Sequence, residues 1–125
     1  MLNDKGKILL VEDDSMILEL YQKKFTDLGY TVLVASRGDE VVSVAEKELP
    51  KAVLLDVILP GVDGFAILEQ LKNNPATSSI PVVMLTNLGQ DEDKEKGKQL
   101  GAAGYIVKAT ETPSGIVKKV EQLIK

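Results

Sequence analysis

The amino-acid sequence predicts an α/β chain, a doubly wound five-stranded parallel sheet with five helices. Short apolar runs rich in β-branched residues alternate five times with segments of helical period, the mark of successive βαβ units. Runs one, three and four are continuously apolar, as strands covered on both faces must be. Thr31-Val-Leu-Val-Ala35 is more mixed and suits an edge.

The first strand is expected over 8–11 and runs straight into Glu12-Asp13-Asp14. Asp14 is placed to cap a helix over 16–28, and Gly29 stands where that helix should stop. A second strand over 31–35 and a helix over 39–48 follow. The third strand, 52–55, delivers Asp56 to its end. Pro60, Gly61 and Gly64 then read as turn formers before a helix over 64–73 that Pro75 closes. The fourth strand, 81–86, ends in Thr86. In the helix expected over 91–100, Asp91, Glu92 and Asp93 lie in the first turn and Lys96 and Lys98 later, the order a helix dipole favours. Those charges and Leu88 read as a solvated surface. The fifth strand, 104–107, precedes Lys108, and Thr112-Pro113 forms a cap and first helical position for a helix over 113–125.

One domain over 1–125 is the expectation for this length, and 44% hydrophobic residues suffice for a core. With 15 basic and 19 acidic residues the formal charge is -4, and the scattered basic residues leave no footprint for nucleic acid or anionic membrane. Cysteine is absent, excluding disulfides and thiolate chemistry. Histidine is absent too, which removes the commonest general base and any phosphohistidine on this chain. No apolar run is long enough to span a bilayer, and the start Met1-Leu-Asn-Asp-Lys-Gly-Lys7 lacks a signal's apolar core, so the expected location is cytoplasmic.

Open parallel sheets bind ligands at the carboxyl ends of their strands. Glu12, Asp13, Asp56, Thr86 and Lys108 each fall at such an end, from four separate stretches. Taken singly, Asp56 reads as a turn aspartate and Glu12 and Asp13 as a solvated strand end; together they form a cluster. Two unit charges about 5 Å apart at an effective dielectric of about 20 repel by roughly 3 kcal/mol. Such a cluster must be protonated, relieved by a cation, or useful. The reading adopted is a divalent-metal site around a reactive aspartate.

Four motifs, in order, now resemble the receiver domain of two-component response regulators, the CheY-like family. They are Leu10-Val11-Glu12-Asp13-Asp14, then Leu55-Asp56 with Pro60-Gly61-Val62-Asp63-Gly64, then Met84-Leu85-Thr86, and Gly104-Tyr105-Ile106-Val107-Lys108. The resemblance covers nearly the whole chain. It implies a flavodoxin-like strand order 2-1-3-4-5 and a phosphoacceptor role for Asp56. It further implies Asp13 as a direct ligand of magnesium, for which manganese substitutes, Glu12 as a ligand through water, and the backbone carbonyl of Ile58 as another. Lys108 and Thr86 would bind phosphoryl oxygens, and Thr86 with Tyr105 would form a switch that remodels the face of the fourth helix, fifth strand and fifth helix. The implied partners are a sensor histidine kinase or histidine phosphotransfer protein and a downstream protein or effector domain. The chain would be a monomer or a phosphorylation-dependent dimer, and a signalling module rather than an enzyme.

One position departs from the family and a second is variable. Proline usually follows the strand-five lysine, through a cis bond, whereas Lys108 is followed by Ala109. A cis bond before a non-proline residue costs about 2.5–4 kcal/mol, so a trans bond is expected. Ile58 is the other, an apolar side chain beside the path water would take to a phosphorylated Asp56. Rival readings are a pseudo-receiver that only binds partners and a haloacid-dehalogenase-type phosphatase. The phosphatase needs a second aspartate two residues after the nucleophile, where this chain has Ile58. A nucleotide-binding module would need a glycine-rich loop after strand one, where this chain has acids.

Overall fold

The computed structural model describes residues 5–59, 61–86 and 91–124. Pro60, Leu88 and the side chain of Asp91, all singled out in the sequence, lie outside the described residues. Five strands, β1 (Lys7–Val11), β2 (Thr31–Ala35), β3 (Ala52–Asp56), β4 (Val82–Thr86) and β5 (Gly104–Val107), alternate with five helices. The helices are α1 (Ser15–Asp27), α2 (Gly38–Glu48), α3 (Gly64–Asn73), α4 (Asp91–Gln99) and α5 (Pro113–Ile124). Every boundary falls within one residue of its expected place. The strands pair in parallel in the order β2-β1-β3-β4-β5, with β2 at one edge, as its mixed composition implied.

Alternation along each strand divides the core into two layers. Leu9, Val11, Val53, Leu55, Val82 and Met84 face α2 and α3, where Val41, Ala45, Phe65, Leu68 and Leu71 meet them. Ile8, Leu10, Leu54, Val83, Leu85 and Ile106 face α1 and α5, against Tyr21, Phe25, Ile116, Val117 and Val120. Burying each large aliphatic side chain contributes about 1.5–3 kcal/mol, so both faces hold the central strands rigidly. That rigidity fixes the groups at the strand ends.

Local chemistry sets the element limits. Asp14 accepts from the Met16 and Ile17 amides at 3.0 and 3.3 Å, capping α1 as expected. Gly29 at φ 102 takes the left-handed position that ends the helix, and the Tyr30 amide donates back to the Phe25 carbonyl at 3.1 Å. Thr112 caps α5 by accepting from the Gly115 amide at 3.0 Å. Thr112→Ala is expected to lower unfolding stability by about 1 kcal/mol in a urea titration with the slope unchanged.

Two features were not expected. Ile58–Leu59 and Val62–Asp63 pair antiparallel as a small hairpin beside the end of β3. Lys108–Thr110 form one turn of 3-10 helix. No peptide bond among the described residues is cis, so Lys108–Ala109 is trans, as expected.

Candidate metal and phosphoryl site

The carboxyl ends of β1 and β3 are adjacent because these strands pair directly, Val11 opposite Leu55. One residue further on, Glu12 and Asp56 enter the same pocket, 3% and 8% exposed, with Asp13 on the rim facing solvent. One carboxylate oxygen from each of the three acids lies within 4.8 Å of the others. Lys108, just past the end of β5, reaches back across the sheet: its Nζ donates to Glu12 Oε1 at 2.7 Å and to Asp56 Oδ2 at 2.8 Å. The remaining oxygens of the two buried acids are also engaged. Glu12 Oε2 accepts from the Asp13 amide at 3.1 Å, and Asp56 Oδ1 from the Ile58 amide at 3.3 Å.

The electrostatics follow from burial. Desolvation is the leading cause that lifts the Glu12 carboxyl from 4.5 to about 6, with Asp56 adding to it and Lys108 opposing. Burial alone would lower the Lys108 ammonium, but its bonds to Asp56 and Glu12 outweigh that and hold it above its ordinary value. Tyr21, on the buried face of α1, is raised chiefly by desolvation.

Thr86 ends β4, 3% exposed, in register with Val107 of β5. Tyr105 lies two residues earlier on β5, opposite Met84. Its hydroxyl is buried and makes no hydrogen bond of ordinary geometry with the described residues. Burial raises its pKa, while the nearby Thr86 hydroxyl acts the other way. The hydroxyl thus lies inside the molecule. Gly97 of α4 lies against the ring: a Cβ there would stand 3.4 Å from Tyr105 Cδ2, an ordinary van der Waals contact.

Ile58 sits in the small hairpin opposite Asp63, is 72% exposed, and donates its amide to Asp56. Gly64, read from sequence only as a turn former, has a sharper role. An added Cβ would stand 2.3 Å from the Asp56 carbonyl oxygen and 2.8 Å from Val57 Cα, so α3 can start this close to the Asp56 backbone only with glycine. The Gly64 amide closes the approach by donating to the Val57 carbonyl at 2.8 Å. A glycine at the first position of a helix, where Asp63 caps by accepting from the Phe65 amide, was the available signal.

Three hard carboxylate oxygen donors at this separation suit a small dication, which prefers oxygen ligands and retains water. Among the described residues the donor set therefore fits magnesium or manganese.

Comparison with known proteins agrees with this geometry. The family model described as the response regulator receiver domain matches residues 8–121. A probable transcriptional regulator ycf27 of Pyropia yezoensis is 40% identical over 108 residues, covering 86% of this chain and 43% of that protein. The chain spans less than half the length of the curated relatives it matches. Among solved structures, the chemotaxis protein CheY4 of Vibrio cholerae superposes with a TM-score of 0.88 at 28% identity, over 96% of this chain and 99% of that one. The Mn(2+)-bound form of response regulator Rcp1 gives 0.76 at 25% identity, over 95% and 88%.

Proposed function

Because the chain belongs to the response regulator receiver domain family, we propose that it is a phosphoacceptor module that takes a phosphoryl group onto Asp56 in a magnesium-dependent reaction. The observation that carries this reading is the convergence of Glu12, Asp13 and Asp56 within 4.8 Å, with Lys108 bonded into the cluster. The manganese held by the Rcp1 relative supports the same class of cation.

Glu12, Asp13 and Asp56, with the backbone carbonyl of Ile58, would hold the ion. When bound, it neutralises charge on the acids and on the transferring phosphoryl oxygens. The chain's own groups do the rest. A carboxylate oxygen of Asp56 attacks phosphorus in line; an O–P bond forms as the donor's N–P bond breaks, and the electron pair leaves with the imidazole. This chain has no histidine, so the phosphohistidine belongs to a partner, a sensor kinase or a phosphotransfer protein. Lys108 carries one phosphoryl oxygen and the Thr86 hydroxyl another, the positioning and charge stabilisation that supply most of the catalysis in such transfers.

The new phosphate then draws Thr86 toward Asp56 and fixes the Tyr105 ring behind it, remodelling the α4-β5-α5 face for a downstream protein or effector domain. A phosphorylation-dependent dimer through that face is part of the same reading. No helix among the described residues is long and apolar enough to cross a membrane. One domain working in the cytoplasm is the arrangement proposed, as a signalling module and not as an enzyme with turnover.

Incubation with acetyl phosphate and magnesium, followed by intact mass, tests the function. The expected result is a gain of one phosphoryl group that excess chelator prevents; turnover of phosphate esters without a stable adduct would point to a phosphatase, and no adduct to a pseudo-receiver. Ile58 sets the adduct's lifetime. It is an exposed apolar residue two positions beyond Asp56, and Ile58→Asn is expected to speed hydrolysis several-fold by orienting water. Decay of the purified adduct measures it, and an unchanged or slower decay removes the role.

A further inference from the structure

We propose that Lys96 and Phe65 form a latch that seats α4 on the start of α3, so that a movement of the Asp56 backbone reaches α4 by a route other than Thr86 and Tyr105. The latch stands on contacts outside the metal and phosphoryl site. Only its use, that phosphorylation is what moves the Asp56 backbone, rests on the receiver reading.

The helix from Asp91 to Gln99 contains no apolar side chain. A helix polar on every side has no stripe to bury, so something else must hold it to the sheet. It has one flat place and one well-placed charge. Gly97 is buried, and a Cβ built there would stand 3.4 Å from Tyr105 Cδ2, 3.6 Å from Phe65 Cε1 and 3.8 Å from Met84 Cγ, so bare backbone lies against all three. Tyr105 is thus one seat of α4 and Phe65 the other. Beside Gly97, the Lys96 ammonium stands 4.8 Å from the centroid of the Phe65 ring. That is within the reach of cation–π attraction. Among the described residues Lys96 makes no salt bridge, which leaves the ring as the partner of its charge.

The ring is held from below. Phe65 is 5% exposed and packs in the same core layer as Leu68, Leu71 and Met84. It is the second residue of α3, its amide fixed by the Asp63 carboxylate at 2.9 Å. Gly64, just before it, lies directly against the Asp56 carbonyl and donates to the Val57 carbonyl at 2.8 Å. Contacts therefore run from the Asp56 backbone through Gly64 to the Phe65 ring, and from the ring to Lys96 and Gly97. A shift at the end of β3 carries the start of α3 with it, and the ring then draws the charge on α4 along.

A double-mutant cycle on the full chain, read by urea unfolding without magnesium or phosphodonor, tests the contact. Lys96→Met keeps an apolar stem and removes the charge, and Phe65→Leu removes the π face. The pair is expected to be coupled by about two- to fivefold in the unfolding equilibrium constant. Lys96→Arg, whose guanidinium also stacks on aromatic faces, should keep that coupling. The Lys96 side chain is exposed, so neither of its substitutions threatens the fold. The route is read by nuclear magnetic resonance. Gly64→Ala, which displaces the start of α3, should move the amide shifts of α4 in the parent background and much less in the Lys96→Met background. Acetyl phosphate with magnesium should show the same difference between the two backgrounds. Single effects that multiply without coupling, or coupling lost in Lys96→Arg, overturn the latch. Shifts of α4 that respond equally in both backgrounds overturn the route. A chain that shows the coupling and the Gly64→Ala response yet never gains a phosphoryl group overturns the receiver reading and leaves the latch standing.

Discussion

Asp56→Ala is expected to end phosphoryl acceptance, with no mass increment under conditions where the unaltered chain gains one phosphoryl group. Losing a single stabilising donor in a preorganised site costs about 10²–10³ in rate, and losing the nucleophile costs more. Neither neighbouring acid can stand in. Glu12 is 3% exposed, has both oxygens bonded, and is the group that burial biases toward its protonated form. Asp13 is open to solvent and lacks the Lys108 contact that would steady a phosphoryl oxygen there. The variant should still fold, because Lys108 keeps Glu12 as its counter-ion at 2.7 Å. A circular dichroism spectrum like the parent's, together with an unmodified mass, is the expected pair of results. Continued modification, mapped to Asp13 or Glu12, would mean that the nucleophile has been misassigned.

Gly64→Ala is the second large effect, and its sign separates two physical arguments. By helix propensity alone, alanine in α3 would stabilise the chain by about 1 kcal/mol. The geometry predicts the reverse. The added Cβ would lie 2.3 Å from the Asp56 carbonyl oxygen and 2.8 Å from the Val57 carbonyl oxygen, both backbone atoms that no rotamer change can move. Relief requires α3 or the end of β3 to shift, and overpacking of this kind typically costs about 1–3 kcal/mol. A lower urea midpoint is expected, accompanied by weaker magnesium binding as Asp56 is pushed out of line with Glu12. A midpoint at or above that of the parent would show that the close approach does not constrain the site.

The architecture was legible because its signals are local and repeated. Val53, Leu54 and Leu55 could only be a strand buried on both faces; Asp14 and Thr112 mark helix starts by accepting from amides a few residues on, and Gly29 marks a helix end by donating to the Thr26 carbonyl. The gathering of Glu12, Asp13 and Asp56 was legible for a different reason: parallel strands leave their carboxyl ends on one side. What escaped the sequence depends on distances between elements. Lys108 reads naturally as a group waiting for phosphate, and nothing in its neighbours reveals that Glu12 lies 2.7 Å away across two intervening strands. Gly64 looks like any turn glycine until the Asp56 carbonyl is placed against it. The hairpin at Ile58–Leu59 and Val62–Asp63 is two residues on each side, too short for any periodicity to announce it. Tyr105 has no sequence signal for which way its ring points; its neighbour Gly97 lies on another element, α4.

The seam under α4 has a consequence for how the molecule spends its stability. Of the residues Glu92 to Gln99, Gly97 alone is buried, and it brings no side chain to the contact. Interior glycine also weakens a helix by about 1 kcal/mol relative to alanine. This segment is therefore tethered by far less apolar area than α1, α3 or α5, and its local opening sits at the shallow end of the free-energy scale. Amide deuteration should reach it well before the sheet, and a perturbation worth no more than one charged hydrogen bond is enough to reposition it while the rest stays put.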